Sequence, residues 1–115
     1  NLSLMLQETN ELIKKCKIEE EETFQQQPLN AVRCSLMRLF NNKLYCIYHI
    51  HRKQLSPNEM IQLDADMSVW IKITNFYQDK AYNRWRGGSL ASSSGALESI
   101  RRTDAMIKIL EKRMK

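Results

Sequence analysis

The chain has 115 residues, of which 43% are hydrophobic and 27% charged, and its net charge is +5. This length and balance are typical of one folded, helix-rich domain and exclude an intrinsically disordered chain. No apolar run approaches the ~18 residues of a membrane span, and no signal-peptide pattern is present, so we expect no membrane partner. Because the chain begins with Asn1 rather than Met, we expect it to be a trimmed piece.

The cysteines indicate the redox compartment of the protein, and the charge distribution indicates which classes of partner it fits. Cys16, Cys34 and Cys46 are odd in number and form no CxxC pair, which predicts a reducing, intracellular compartment. Residues 1–27 hold six Glu against three Lys, whereas residues 28–115 hold fifteen Lys and Arg against seven Asp and Glu. Such a basic excess fits nucleic acid, an acidic protein surface, or simply a solvated helix surface.

The first predicted helix covers residues 2–18. Its apolar-face residues recur every three or four positions: Leu2, Met5, Leu6, Thr9, Leu12, Ile13 and Cys16. The run "EEEE" at 19–22 and "QQQP" at 25–28 break this pattern, because adjacent Glu side chains repel and Pro28 disfavours helix at Gln27. We therefore predict that this stretch is a connector between the first and second helices.

The second predicted helix covers residues 29–53 and is central, because its apolar stripe is long and continuous. The stripe consists of Leu29, Val32, Leu36, Phe40, Leu44 and Ile47, widened by Tyr48 and Ile50. The run "NNK" at 41–43 is poor helix material, which predicts a kink or short break near Asn41.

The third predicted helix has the clearest start in the chain. In "LSPNEM", Ser56 occupies the N-cap, Pro57 the first helical position and Glu59 the third, which is the pattern of a reciprocal capping box. We expect this helix to end near Arg86, before Gly87, and to be about 45 Å long.

The last part of the chain reads as a linker followed by a helix. Gly87–Gly95, "GGSLASSSG", has the composition of a flexible linker, a long turn or an engineered join. Residues 96–115 are amphipathic and basic, and they either fold back on the bundle or reach a partner. The predicted organisation is a helical core over 1–86, a linker or turn over 87–95 and a returning helix over 96–115. The predicted fold is an all-α antiparallel four-helix bundle, with helices two and three as its central long pair.

Catalytic and metal-binding patterns are weak. The run "CIYHIH" places Cys46 and His49 three residues apart, but His51 points elsewhere and no zinc spacing is present. A Cys–His nucleophile also needs an orienting group and an oxyanion hole, which a continuous helix does not supply. Asp64 and Asp66 lie on different helix faces, and "RGGS" lacks the lysine of a phosphate-binding loop. We therefore predict no enzymatic activity, metal, cofactor or small-molecule substrate.

The end of the third helix predicts a binding surface for other protein subunits. Several of its aromatic residues do not fit its apolar stripe, which indicates a second apolar face. The predicted contact residues are Phe76, Tyr82, Arg84, Trp85 and Arg86. The alternative is a nucleic-acid interface of stacked aromatics and cations, formed by helices three and four. Its predicted cations are Lys72, Lys80, Arg101, Arg102, Lys108 and Lys112.

Short motifs resemble a known family. They are "CSLMR" at Cys34–Arg38, "NNK" at 41–43, "YCIYHIHRK" at Tyr45–Lys53, the helix start at 55–59, and Trp70 in the next helix. Together they resemble the helical domain of GINS subunits, particularly the first PSF subunit, over about residues 32–86. The alignment needs a two-residue insertion, Leu39–Phe40, and the fourth segment does not resemble the small β-domain of that family.

The resemblance implies a structural role in DNA replication and a nuclear location. GINS subunits form a clamp of four related chains, which joins the replicative MCM helicase to its other cofactors and has no active site. Their helical domains pair lengthwise, which suits a long third helix with two apolar faces.

Overall fold

The computed structural model describes residues 1–114, which form four α-helices and no β-strand. The helices are α1 (Leu2–Glu22), α2 (Gln26–Arg52), α3 (Pro57–Arg84) and α4 (Ala91–Arg113). The predicted all-α four-helix bundle is confirmed. Lys115, the last residue of the predicted fourth segment, lies outside the described residues. In the part of the chain that is described, no helix is long and apolar enough to cross a membrane.

Helices α1 and α2 both extend into the predicted connector between them. α1 continues through the four glutamates, where Glu20 accepts a hydrogen bond from Arg33 of α2 at 3.1 Å, so the connector shrinks to residues 23–25. Pro28 is the third residue of α2, within the first turn, where its missing N–H costs no intrahelical hydrogen bond. The predicted break near Asn41 is absent from α2, because Phe40 and Leu44 on either side of it are anchored in the core.

The capping box of α3 forms as predicted. The Ser56 hydroxyl accepts from the Glu59 backbone amide at 3.3 Å, and the Glu59 carboxylate accepts from the Ser56 amide at 3.0 Å. These bonds lower the pKa of the Glu59 carboxyl group, since they favour its charged form.

The central helix pair differs from the prediction. α2 packs against α1 on one side and α4 on the other, and α3 packs mainly against α4, so the spatial order is α1–α2–α4–α3. Consecutive helices run antiparallel, and α2 and α4 therefore run in the same direction, with Asn30 beside Ser93 and Asn41 beside Thr103. The shared core holds the fully buried Ile47, Ile107 and Leu110.

A row of small buried residues places α4 between α2 and α3. Residues 91–95, predicted as part of a linker or turn, form the first turns of α4, and only residues 85–90 connect the helices. The small buried residues of α4 are Ala91, Ser93, Gly95, Ala96, Ser99 and Thr103. A Cβ on Gly95 would lie 3.5 Å from the Tyr82 Cβ of α3, so the two backbones approach closely here. Gly87, with a φ of 84°, supplies the left-handed residue of the connecting turn.

Buried hydrogen bonds fix the start of α4 on α2. Asn30 donates to the Ser89 carbonyl at 2.7 Å and accepts from the Ser93 hydroxyl at 2.6 Å. Arg33, which also holds Glu20 of α1, donates to Ser93 at 3.3 Å. Because a buried polar group is costly without its partner, this network sets the register of α4 against α2.

The bundle is flat and elongated. Its extents are 48 × 29 × 19 Å, and 19 Å is about two helix diameters. The Cα radius of gyration is 15.5 Å, against about 13 Å for a compact domain of this length. Two edge helices, α1 and α3, therefore each keep one side without a neighbour in the described chain.

Candidate protein-interaction surfaces

Helix α3 is apolar on two opposite sides. Its inner side packs on the bundle through Leu63, Met67 and Thr74. Its outer side carries a second row of large apolar residues at helical spacing, which we call the outer stripe: Ile61, Val69, Ile73 and Phe76. Their exposed fractions lie between 46% and 69%. A surface helix of a self-sufficient bundle needs one apolar side, so packing within the described chain does not account for the outer stripe.

The five residues predicted to bind a partner do not form one surface. Phe76 belongs to the outer stripe, with its ring 5.2 Å from that of Tyr77. Tyr82 lies against Gly95 of α4, and Trp85 caps the C-terminal end of α3, although both side chains keep exposed parts. The two remaining residues, Arg84 and Arg86, are exposed at the end of α3 and in the following turn.

Arg84 lines a basic and aromatic cleft between the end of α3 and the start of α4. The cleft has a volume of about 690 Å³ and is also lined by Tyr77, Lys80 and Glu98. The guanidinium of Arg102 lies 4.0 Å from the centre of the Tyr77 ring, and the Lys80 ammonium lies 6.0 Å from it. Both distances lie within the range of cation–π contacts, so the Tyr77 ring already has cationic neighbours from its own chain.

Half of the cations predicted to contact nucleic acid are already paired. Arg101 and Arg102 both donate to Glu98 at 2.7 Å, and Lys108 lies 3.0 Å from Asp104. Burial alone would raise the pKa of Glu98, but the hydrogen bonds from the two arginines hold it below its ordinary value. The remaining three, Lys72, Lys80 and Lys112, are exposed. Carboxylates therefore interrupt the predicted basic face of α4, which weakens its attraction for phosphates.

A cleft between α2 and α3 was not predicted from the sequence. Its volume is about 470 Å³. We call it the α2/α3 cleft; it is lined by Asn41, Leu44, Tyr45, Tyr48, His49, Asp64, Met67, Ser68, Trp70 and Ile71. The signal in the sequence was the presence of Tyr45 and Ile71 outside the core stripes of their helices, but their neighbours depend on how α2 and α3 are placed.

One end of the α2/α3 cleft is closed by a polar cluster. The Tyr48 hydroxyl donates to Asp64, and Arg52 donates to the same carboxylate at 3.1 Å from Nε and 3.0 Å from an Nη atom. Hydrogen bonds from Arg52 and then Tyr48 lower the pKa of Asp64, while burial and the hydrogen bond to Asp64 raise that of Tyr48. The carboxylate therefore stays charged but paired, and it ties α2 to α3.

The residues of "CIYHIH" do not come together. Cys46 is buried beside α1 and lines a different cleft from His49, whose ring packs against Tyr45 and Tyr48. Burial raises the pKa of the Cys46 thiol, which makes it a poorer nucleophile. His51 is buried near the end of the bundle, and its Nδ1 has no hydrogen-bond partner among residues 1–114. Over the same residues, no group of three His, Cys, Asp or Glu side chains is arranged to hold a metal.

The chain was also compared with known proteins. No protein-family model, curated protein or solved structure matches it. Its function is therefore inferred from its own residues.

Proposed function

We propose that the protein is a non-enzymatic helical protein–protein interaction module, a subunit or adaptor of an intracellular multiprotein complex. The observation that carries the proposal is the outer stripe of α3. Its four apolar residues are aligned on a helix whose other side already serves the bundle. An aligned, exposed apolar row of this kind is typical of a helix that packs against a second protein.

The outer stripe is too small to bind a partner tightly by itself, so we expect it to be one part of a larger interface. Fully burying a large apolar side chain contributes about 1.5–3 kcal/mol relative to leaving it exposed. Since these four side chains are about half exposed, docking adds roughly 1 kcal/mol for each, before the cost of association is subtracted. A partner that covers only this row would bind weakly, so we expect it to make a second, separate contact with Trp85 and Arg86 at the end of α3.

We further propose a GINS-like scaffold role in DNA replication, in the nucleus. The proposal is supported by the motifs at 34–60 and by an exposed, apolar long helix, which is what lengthwise pairing of helical domains requires. The partners would then be the sister subunits of a GINS-type complex, bound through helix–helix contacts.

The alternative is a nucleic-acid-binding helical domain that uses α3 and α4. The exposed Lys72, Lys80 and Lys112 favour it, whereas the pairing of Arg101, Arg102 and Lys108 with carboxylates does not. Salt dependence separates the two, because phosphate contacts make affinity fall steeply with salt and an apolar interface depends on salt much less.

The test is the assembly of the chain with the three sister subunits of a GINS-type complex from the same organism, measured as mass by light scattering. We expect Phe76→Asp to abolish the complex, because it places a charge in the outer stripe. Ile71→Asp is the matched control, since Ile71 is similarly exposed on the same helix but faces the α2/α3 cleft. Circular dichroism should be unchanged in both variants.

Trp85→Ala should weaken the same complex without loss of helicity; a loss of helicity would assign Trp85 to the core. Equal complexes for Phe76→Asp and the unmodified chain would refute the role of the outer stripe. Failure of every form to assemble, together with tight and salt-sensitive binding to DNA, would favour the alternative.

A further inference from the structure

The α2/α3 cleft is a bounded apolar groove. The cluster of Tyr48, Arg52 and Asp64 closes one end. The opposite end lies near Asn41 and Ile71. From Asn41 to His49 the groove follows about two turns of α2, or about 12 Å. Its volume of about 470 Å³ falls within the range of ~300–1,000 Å³ that is usual for binding pockets.

The walls of the groove carry the residue types that anchor protein partners. Trp70 and Ile71 line the α3 side, and Tyr45 and Tyr48 line the α2 side. The His49 ring lies 4.4 Å from that of Tyr45 and 4.9 Å from that of Tyr48, so these three rings hold one another in place. Tryptophan and tyrosine contribute most at interfaces when they are rigid beforehand, because less side-chain freedom is lost on binding.

The charge around the groove is positive. α2 contains no Asp or Glu between Gln26 and Arg52. The exposed Arg38 lies two turns before Tyr45 on the same side of α2, and the exposed Lys53 directly follows the helix. Of the residues that line the groove, Asp64 alone is acidic, and its carboxylate is occupied by Arg52 and Tyr48. Within the residues that line the groove, a negatively charged partner therefore meets no unpaired carboxylate, and Arg38 and Lys53 extend the positive charge along α2.

We propose that the α2/α3 cleft binds an acidic amphipathic helix of another protein. Large apolar side chains on one face of that helix, spaced three and four residues apart, enter the groove between Trp70 and Tyr45. Its carboxylates face Arg38 and Lys53. This is the helix-in-groove mode of recognition, in which the apolar floor supplies affinity and the rim charges select the sign of the partner. The site is separate from the outer stripe of α3, which lies on the opposite side of that helix.

The experiment uses three synthetic, dye-labelled peptides of about four helical turns. The first carries Leu and Phe on one face and Glu elsewhere, the second has Lys in place of each Glu, and the third has the composition of the first in scrambled order. Binding to the full chain is measured by fluorescence anisotropy. Emission from Trp70, isolated in a Trp85→Phe background, reports whether the groove is occupied.

We expect saturable binding of the acidic amphipathic peptide, a change in Trp70 emission, and binding weaker by about tenfold or more for the other two peptides. Ile71→Asp should weaken binding of the acidic amphipathic peptide by a similar factor, whereas Phe76→Asp should leave the affinity for this peptide unchanged. Tyr45→Ala, at a half-exposed position, provides a second variant if Ile71→Asp melts at a lower temperature than the unmodified chain.

Equal binding of all three peptides, or no binding of the first, would overturn the proposal. A second copy of this chain is the competing occupant, because its acidic helix α1 exposes Leu4 and Leu12 two turns apart. A dimer of the chain alone that Ile71→Asp dissociates would assign the groove to that copy instead. Because Phe76→Asp tests the outer stripe and Ile71→Asp tests the groove, failure of one proposal is distinguishable from failure of the other.

Discussion

Replacing Gly95 with alanine should stabilise the protein, although glycine and serine dominate the segment around it. Gly95 is the fifth residue of α4, beyond its first turn, and its backbone is buried against α3. In a helix interior, Gly→Ala contributes about 0.8–1.0 kcal/mol to stability, because alanine loses less backbone entropy.

The new methyl group has room beside α3. Its Cβ would lie 3.5 Å from the Tyr82 Cβ, and 3.6 and 3.8 Å from the carbonyl oxygen and Cγ of Gln78, all of which are ordinary contact distances. Each contact adds about 0.1–0.2 kcal/mol. The free energy of unfolding should therefore rise by about 1–1.5 kcal/mol, and Tm by about 4–6 °C for a domain of this size.

The assay is urea and thermal unfolding followed by far-ultraviolet circular dichroism. Gly87→Ala is the matched control, since the same change at a φ of 84° forces alanine into the left-handed region and should lower stability by about 1 kcal/mol. If residues 91–95 are helical, Gly95→Ala must raise the stability and Gly87→Ala must lower it. If Gly95→Ala leaves Tm unchanged, or if both variants behave alike, residues 87–95 are a flexible linker and the reasoning fails.

Two further variants test the core and the polar cluster. Ile107→Ala should lower the free energy of unfolding by about 2–5 kcal/mol, because Ile107 is fully buried between α2 and α3. Ile109→Ala, at a position that is 45% exposed, should change it by no more than about 1 kcal/mol. Equal losses of stability in urea unfolding would contradict the packing of α4. The lowered pKa of Asp64 means that its contribution is complete above its unfolded pKa of about 4 and is lost as the pH falls through its folded value. Asp64→Asn should therefore be less stable at neutral pH and lose less stability on acidification, and parallel pH profiles of the urea midpoint for both proteins would refute this.

The start of α3 and the inner faces of the helices were predictable because their signals are local. Ser56, Pro57 and Glu59 specify a helix start within four residues, and the stripe from Leu36 to Ile47 has helical spacing whatever lies against it. Boundaries were less predictable. The glutamates at 19–22 repel one another locally, but the contact of Glu20 with Arg33 across the helix pair favours a continued helix.

The candidate sites also differ in how far local sequence signals predicted them. The outer stripe was partly visible, since Phe76 does not fit the core spacing of α3. The α2/α3 cleft was not, because Tyr45 is distant in sequence from Trp70 and Ile71, and these residues line one cleft only after α2 and α3 have both packed on α4. The carboxylate partners of Arg101, Arg102 and Lys108 were also predictable, because Glu98 and Asp104 lie three or four residues before them on the same helix.

By itself, the sequence determined that this protein is all-helical, where α3 begins, and which residues of each helix can be buried, because hydrogen bonding and apolar spacing act within a few residues along one helix. Tertiary structure alone decided that the glycine–serine segment is helical and that α4 lies between α2 and α3. A row of small side chains is indistinguishable from a linker until another backbone packs on it. At Gly95 and Ser93 the close approach of α3 and the hydrogen bonds that Ser93 donates to Asn30 and accepts from Arg33 outweigh the weak helix propensity of the segment.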